Sequence, residues 1–181
     1  MSIVPEMNKT WVRLRPAAES DLPMLRRFAS EPGLVGPGWS GYRDLAAVAK
    51  RYALDGFLGE DDGRLVVDVD DTAAGYVSWQ GVSNGAARYW KAGGGWSIGI
   101  ALLPEWRGRG VGWRAQTLLC EYLFTHTPAE RIEAMTQSDN VAEHKSLQKV
   151  GFQREAVLRS AEFRDGQWRD LVLFGRLRGE R

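Results

Sequence analysis

The segment Leu102-Leu103-Pro104-Glu105-Trp106-Arg107-Gly108-Arg109-Gly110-Val111-Gly112 constrains this chain more than any other. An apolar run ends at a proline, passes through a basic, glycine-dense turn and enters a helical pattern. Glycines at alternate positions allow positive φ and leave the backbone bare where something large must come close. A turn of this kind at a helix start gathers unpaired N–H donors at the positive end of the macrodipole, a place suited to phosphate. Arg107 and Arg109 add forked donors for the same oxyanions.

Spacing decides which phosphate loop this is. A Walker loop ends in Gly-Lys-Ser/Thr, and no Lys follows Gly110 or Gly112. The dinucleotide fingerprint places its third glycine three positions after the second, where this chain has Trp113. Glu130 and Glu133 lie at a distance suited to a ribose partner, but a 181-residue chain leaves too little after the loop for repeated βαβ halves. The pattern that fits is Arg-x-x-Gly-x-Gly, on Arg107, Gly110 and Gly112.

With that motif the chain resembles the GCN5-related N-acetyltransferases. Asn140-Val141-Ala142 leads through Lys145 to Lys149-Val150-Gly151-Phe152, similar to the family's second helix. Val12 to Pro16 followed by Asp21-Leu22, Phe152 to Arg159, and Gly166 to Asp170 resemble the branch that acetylates ribosomal-protein alanine N-termini. The resemblance implies acetyl-coenzyme A (acetyl-CoA) as co-substrate, its pyrophosphate in the glycine turn and its pantetheine arm beside Leu102 and Leu103. The implied cofactor-binding set is Leu102, Leu103, Arg107, Gly108, Arg109, Gly110, Val111, Gly112, Asn140 and Lys145. An α/β fold follows: a mixed, mostly antiparallel twisted sheet with a splayed central parallel strand pair and flanking helices.

Composition agrees with a folded domain, at 44% hydrophobic and 26% charged residues. Residues 1–10 read as a loose leader and 11–178 as one acyl-CoA N-acyltransferase domain. A net charge of +1 implies no nucleic-acid partner, and no apolar run reaches membrane-spanning length. The lone Cys120 forms no internal disulfide, so a reducing cytoplasm is expected. A monomer or a homodimer suits this chain equally.

Periodicity places strands at Trp11 to Arg15, Leu65 to Val69, Gly75 to Trp79, Trp96 to Leu102 and Arg131 to Thr136, and a hairpin at the end. Helices are expected after Ser20 or Asp21, over Arg43 to Leu54, beyond Gly112 with a stripe of Ala115, Leu118, Leu119, Tyr122 and Leu123, and over Asn140 to Val150. One strand alternates Trp96, Ile98, Ile100 and Leu102 with Ser97, Gly99 and Ala101. The small face admits either a flat ligand or a closely packed helix.

Acetyl transfer needs a free amine, a donor for the thioester oxygen and a proton for the leaving thiolate. Where the family often has Tyr to protonate the thiolate this chain has Leu147, and where it often has a strand Glu this chain has Ser97. Ser146 is the nearest hydroxyl and the candidate catalytic residue, with a small packing role as its alternative. Water, or Glu133 or Asp139, would take the amine's proton, although both acids read as surface charges. Glu143 stands at capping-box spacing from Asn140. His126 and His144 lack partners at metal spacing and read as surface residues, so no metal is expected. Trp39, Tyr42, Trp79 and Trp90 are candidate walls for the amine acceptor, with Trp79 in the core and Tyr89-Trp90 in a dimer contact as the alternative. The acceptor is expected to be a protein N-terminus or similar primary amine. A small-molecule amine, or a silent acyl-CoA sensor with no turnover, are the competing readings.

Overall fold

A computed structural model describes residues 11–35, 41–82 and 94–180. A seven-stranded sheet runs in the order β1-β2-β3-β4-β5-β7-β6. Its strands are β1 (Val12–Arg15), β2 (Asp62–Val69), β3 (Thr72–Gly81), β4 (Gly95–Leu102), β5 (Arg131–Gln137), β6 (Gln153–Arg164) and β7 (Gln167–Leu177). Every neighbouring pair is antiparallel except β4 and β5, which run parallel. This is the expected architecture. The helices are α1 (Leu22–Ser30), the single turn α2 (Pro32–Val35), α3 (Leu45–Asp55), α4 (Val111–His126) and α5 (Val141–Val150).

Local chemistry sets these boundaries. Asp44 accepts the Ala46 N–H at 2.8 Å to start α3, and Gly56 ends it at φ +60. Asp70 and Asp71 both take positive φ, the geometry that joins β2 to β3 in a tight hairpin. Asp21 precedes α1 but does not cap it through its side chain. Its carboxylate turns back to Arg15, at 2.6 and 2.9 Å, and to the Ala18 N–H at 2.7 Å. Arg15 also binds the buried Asp68 at 2.8 Å, pinning β1 and the entry to α1 onto β2.

The two faces of the sheet are covered differently. Ile98, Val77, Leu65 and Ile132 meet Val111, Ala115, Leu119 and Leu123 of α4 in the main core. The buried stripe of α4 differs from the expected one. Gln116 and Cys120 are buried, while Tyr122 is exposed and meets the Trp79 ring at a tilt. The helix is rotated because α5 packs on its Gln116 side, which α4's own periodicity does not register. On the opposite face, α1 and α2 place Phe28 and Leu34 against Leu103, Tyr76 and Ala101. No described helix is long and apolar enough to cross a membrane.

Candidate active site

Two features at the carboxyl end of β4 define the site. First, β4 and β5 pair only from Gly95↔Arg131 to Ile98↔Ala134. Beyond that β4 keeps its register with β3 up to Leu102, and β5 keeps its register with β7 up to Gln137. The parallel strands therefore diverge. The Leu103 N–H donates to Ala74 O at 2.9 Å. Backbone groups alternate along a strand, so the polar groups of Leu102, and not those of Leu103, face the opening.

Second, the turn after β4 delivers the start of α4 to the same place. Pro104–Trp106 forms one tight turn, Gly108 and Gly110 take φ +71 and +76, and α4 begins at Val111 with no side-chain cap bond at Gly110. A Cβ on Gly110 would lie 2.5 Å from the mobile end of Arg114, which can turn aside, so it is the left-handed φ that favours glycine here. Arg114 donates to Gly110 O at 2.9 Å and lies over Trp113. Arg109 lies over the Trp106 ring. Arg107 donates to Leu102 O at 2.9 Å and to Leu34 O, tying the turn to β4 and α2. The uncapped N–H groups, the left-handed glycines and the open strand edge fit a diphosphate followed by a linear amide-bearing arm.

Residues of α5 close the other side of the opening. Asn140 Oδ1 accepts the Glu143 N–H at 3.2 Å and its Nδ2 donates to Thr136 Oγ1 at 3.0 Å, fixing the start of α5 beside β5. Lys145 is exposed on that helix. Ser146 Oγ would stand 3.6 Å from a Cβ on Gly112, and it donates to Gln116 Oε1 at 2.7 Å. Gln116 Nε2 in turn donates to the Glu143 carboxylate. The Glu143 side chain thus turns inward instead of completing a capping box with Asn140. Burial pushes its carboxyl above the ordinary value, opposed by the bond from Gln116.

The remaining candidates separate clearly. Glu133 is 7% exposed and bound to Arg131 at 2.7 Å, so it is not a surface charge. Asp139 is exposed, with Arg169 at 3.6 Å. His144 is half-buried, its ring against Phe174 and its Nε2 3.0 Å from Gln137 O, in place of the surface position expected. His126 is exposed beside Tyr122. Burial pushes the Cys120 thiol up to about 12, so it offers no thiolate near neutrality. Among the described residues no cluster of His, Cys, Asp and Glu could hold a metal ion.

A cavity of about 590 Å³ lies on the small-residue face of the sheet, between α1, α3 and strands β2 to β4. Its floor includes Ser97 and Gly99 of β4, just where β5 leaves β4. Trp79 borders it, but the ring is buried in the core against Tyr122 at 5.8 Å. Tyr42 is exposed between the lining residues Gly41 and Arg43. Trp39 and Trp90, with Tyr89, lie outside the described residues. Two contributors were not foreseen. Arg64 enters the cavity from β2, readable only as a charge opposite the apolar Leu65 and Val67, and Gln116 sits unannounced among the apolar positions of α4.

Comparison with known proteins agrees with this geometry. Residues 12–153 match the family described as Acetyltransferase (GNAT) domain. The spermidine N(1)-acetyltransferase of Escherichia coli K12 is 22% identical over 165 residues, 89% of this chain and 83% of that protein. The [ribosomal protein uS5]-alanine N-acetyltransferase of the same organism is 33% identical over 76 residues, 42% of this chain and 39% of that protein. Among solved structures, RimL, a ribosomal L7/L12 alpha-N-protein acetyltransferase in complex with coenzyme A, superposes with a TM-score of 0.76 at 17% identity, covering 94% of this chain and 95% of that one. The Vibrio cholerae spermidine N-acetyltransferase in complex with CoA and spermine gives 0.75 at 18% identity, covering 93% and 96%. Opening, turn and family match together lead to one conclusion: the chain belongs to the GNAT acetyltransferase family and is an acetyl-CoA-dependent N-acetyltransferase.

Proposed function

We propose that the protein moves an acetyl group from acetyl-CoA directly to the N-terminal amine of a peptide or protein, with no acyl-enzyme. One observation supports this reading: α4, which starts at the glycine turn, packs on one face of the sheet and the 590 Å³ cavity lies on the other, both reaching β4 near where β5 leaves it. Bound acetyl-CoA supplies the activated thioester. The amides at the start of α4, with Gly108, Arg109, Gly110, Val111 and Gly112, hold its diphosphate. Leu102 borders the pantetheine arm while Leu103, bonded to Ala74, turns its backbone away from it, Asn140 and Lys145 flank the arm from α5, and Arg107 keeps the turn against β4.

The amine enters from the cavity and gives its proton to water, because Glu133 is already paired with Arg131 and Asp139 lies at the surface. The Ser146 hydroxyl, held beside Gly112 by Gln116, turns its proton from Gln116 to the departing thiolate and regains one from the water that took the amine's proton. Ser146→Ala is then expected to lower kcat roughly 100-fold with little change in KM for acetyl-CoA. Steady-state thiol release checks this, and an unchanged kcat removes Ser146 from the mechanism.

A cavity of this size also suits a drug-sized molecule, so a small-molecule amine is the second reading. Thiol release across a panel of peptides and small amines separates the two. Tight acetyl-CoA binding without release to any amine overturns both in favour of an acyl-CoA sensor.

A further inference from the structure

The cavity is lined by three arginines, Arg43, Arg51 and Arg64, and by Asp44 and Asp62. The acids are spent on other cations. Asp62 receives Arg51 through two bonds of 3.0 and 2.8 Å, and Arg51 also holds Asp55 at 2.8 Å. Asp44 caps α3 and faces Lys50 at 3.5 Å. Arg64 differs. Its guanidinium lies 4.2 Å from the centre of the Tyr76 ring and 5.2 Å from that of Phe57. Among the described residues no carboxylate stands within ion-pair distance of it. Desolvation and the positive charges of Arg51 and Arg43 push its pKa below the ordinary arginine value, and Tyr76 and Asp62 oppose the shift. Arginine nevertheless remains charged at neutral pH.

A desolvated cation is costly unless a partner meets it. Here the cation lines a cavity, with the Tyr76 and Phe57 rings against its guanidinium. Ser97 and Gly99 share the cavity with Arg64, and Arg64 stands opposite Ser78, which stands opposite Gly99, two strands away in the sheet, so an extended acceptor seated on Arg64 is directed towards the place where β4 and β5 separate.

Resting on the reading of this cavity as the acceptor site, we propose that Arg64 binds a carboxylate of the acceptor, so that the enzyme selects acidic amines and rejects polycationic ones. The carboxylate could belong to an acidic residue close behind a peptide N-terminus or to a small amino acid derivative. A guanidinium meets either in the same forked geometry. A polyamine would instead bring positive charge towards Arg43, Arg51 and Arg64, and among the described lining residues both acids, Asp44 and Asp62, already face a cation.

The test compares a hexapeptide beginning Ala-Asp-Glu with its counterpart beginning Ala-Asn-Gln, and the dipeptide Ala-Asp with Ala-Asn, all four C-terminally amidated so that only the side chains differ in carboxylate, together with spermidine. Thiol release is followed in the presence of acetyl-CoA, and direct binding by calorimetry on the protein saturated with CoA. In the wild type the acidic member of at least one pair is expected to be favoured roughly 10- to 100-fold over its amide, in kcat/KM and in Kd. Spermidine should be the poorest acceptor. Arg64→Met keeps an unbranched apolar chain between Tyr76 and Phe57 and should erase the preference without altering KM for acetyl-CoA. Arg64→Lys should restore part of it. Preference in the hexapeptide pair alone assigns the carboxylate to an acidic residue behind a peptide N-terminus, and in the dipeptide pair alone to a small molecule.

Equal binding of acidic and amide partners by the wild type, a preference that survives Arg64→Met, or efficient acetylation of spermidine each overturns the proposal. Should no amine release thiol, acetyl transfer fails as the function, while the calorimetric preference still decides the role of Arg64.

Discussion

Gly110→Asp is expected to abolish the rise in melting temperature that acetyl-CoA gives the wild type. At a ligand concentration of about 100 Kd the wild type should gain about 2.7 kcal/mol, or roughly 5–10 °C for a chain of this size. Gly110 sits at φ +76, directly before α4. A side chain there meets Arg114 Nη1 and Trp113 Nε1, at 2.5 and 3.1 Å from the Cβ, and its carboxylate faces the amides that would hold the diphosphate. Stability without ligand should change little. The left-handed conformation costs roughly 1–2 kcal/mol for a non-glycine residue, and a negative charge at a helix N-terminus returns about 0.3–1 kcal/mol of it. Gly166→Asp supplies the control. Gly166 has φ +74 with open space around it, in the turn between β6 and β7. It introduces the same strain and charge and should leave the acetyl-CoA shift intact. Equal shifts in wild type and Gly110→Asp would move the cofactor site elsewhere.

That turn was legible because its determinants are local. Glycine at positive φ, proline before a helix and a basic residue between glycines act within a few positions. The same holds for the ends of α5, where Asn140 supplies the N-terminal bond and Gly151 the left-handed exit at φ +94. The small face of β4 was legible too, and its expected close helix packing is found at one end of the strand while a cavity lies over the other. Ala101 packs beneath α1 and α2, while Ser97 and Gly99 floor the cavity. What stayed hidden depends on contacts between distant elements. Glu143 has the spacing of a capping box, yet its side chain is drawn inward by Gln116, 27 positions away in the chain. Arg64 falls on the polar side of an alternating strand, where solvent and a cavity look alike until α1 and α3 are in place. The acids near it carried no signal of their own, because which arginine each one meets is settled by packing.

Gln116→Leu should test that hidden network more severely than any change at the surface. Gln116 is 1% exposed, receives Ser146 and donates to Glu143. Leucine fills a similar volume but leaves the Glu143 carboxylate without its donor, at a cost of about 1–3 kcal/mol. The sign with pH follows from linkage. Burial already raises the carboxyl of Glu143 in the folded protein, and the bond from Gln116 works against that rise, so losing the bond raises it further. A raised carboxyl pKa leaves stability untouched below the unfolded value, near 4.3. It removes stability as pH climbs from there through the folded value. Chemical denaturation of Gln116→Leu should therefore show a deficit that is small at pH 4 and full near pH 8. Adding Glu143→Leu replaces the stranded acid by an apolar side chain and should flatten the pH dependence. A deficit independent of pH would mean that packing around Gln116, and not the charge on Glu143, carries the loss. The same variant reads the chemistry as well. If Gln116 serves by holding Ser146, Gln116→Leu lowers kcat, and in a Ser146→Ala background it lowers kcat no further, because residues acting as one unit do not add.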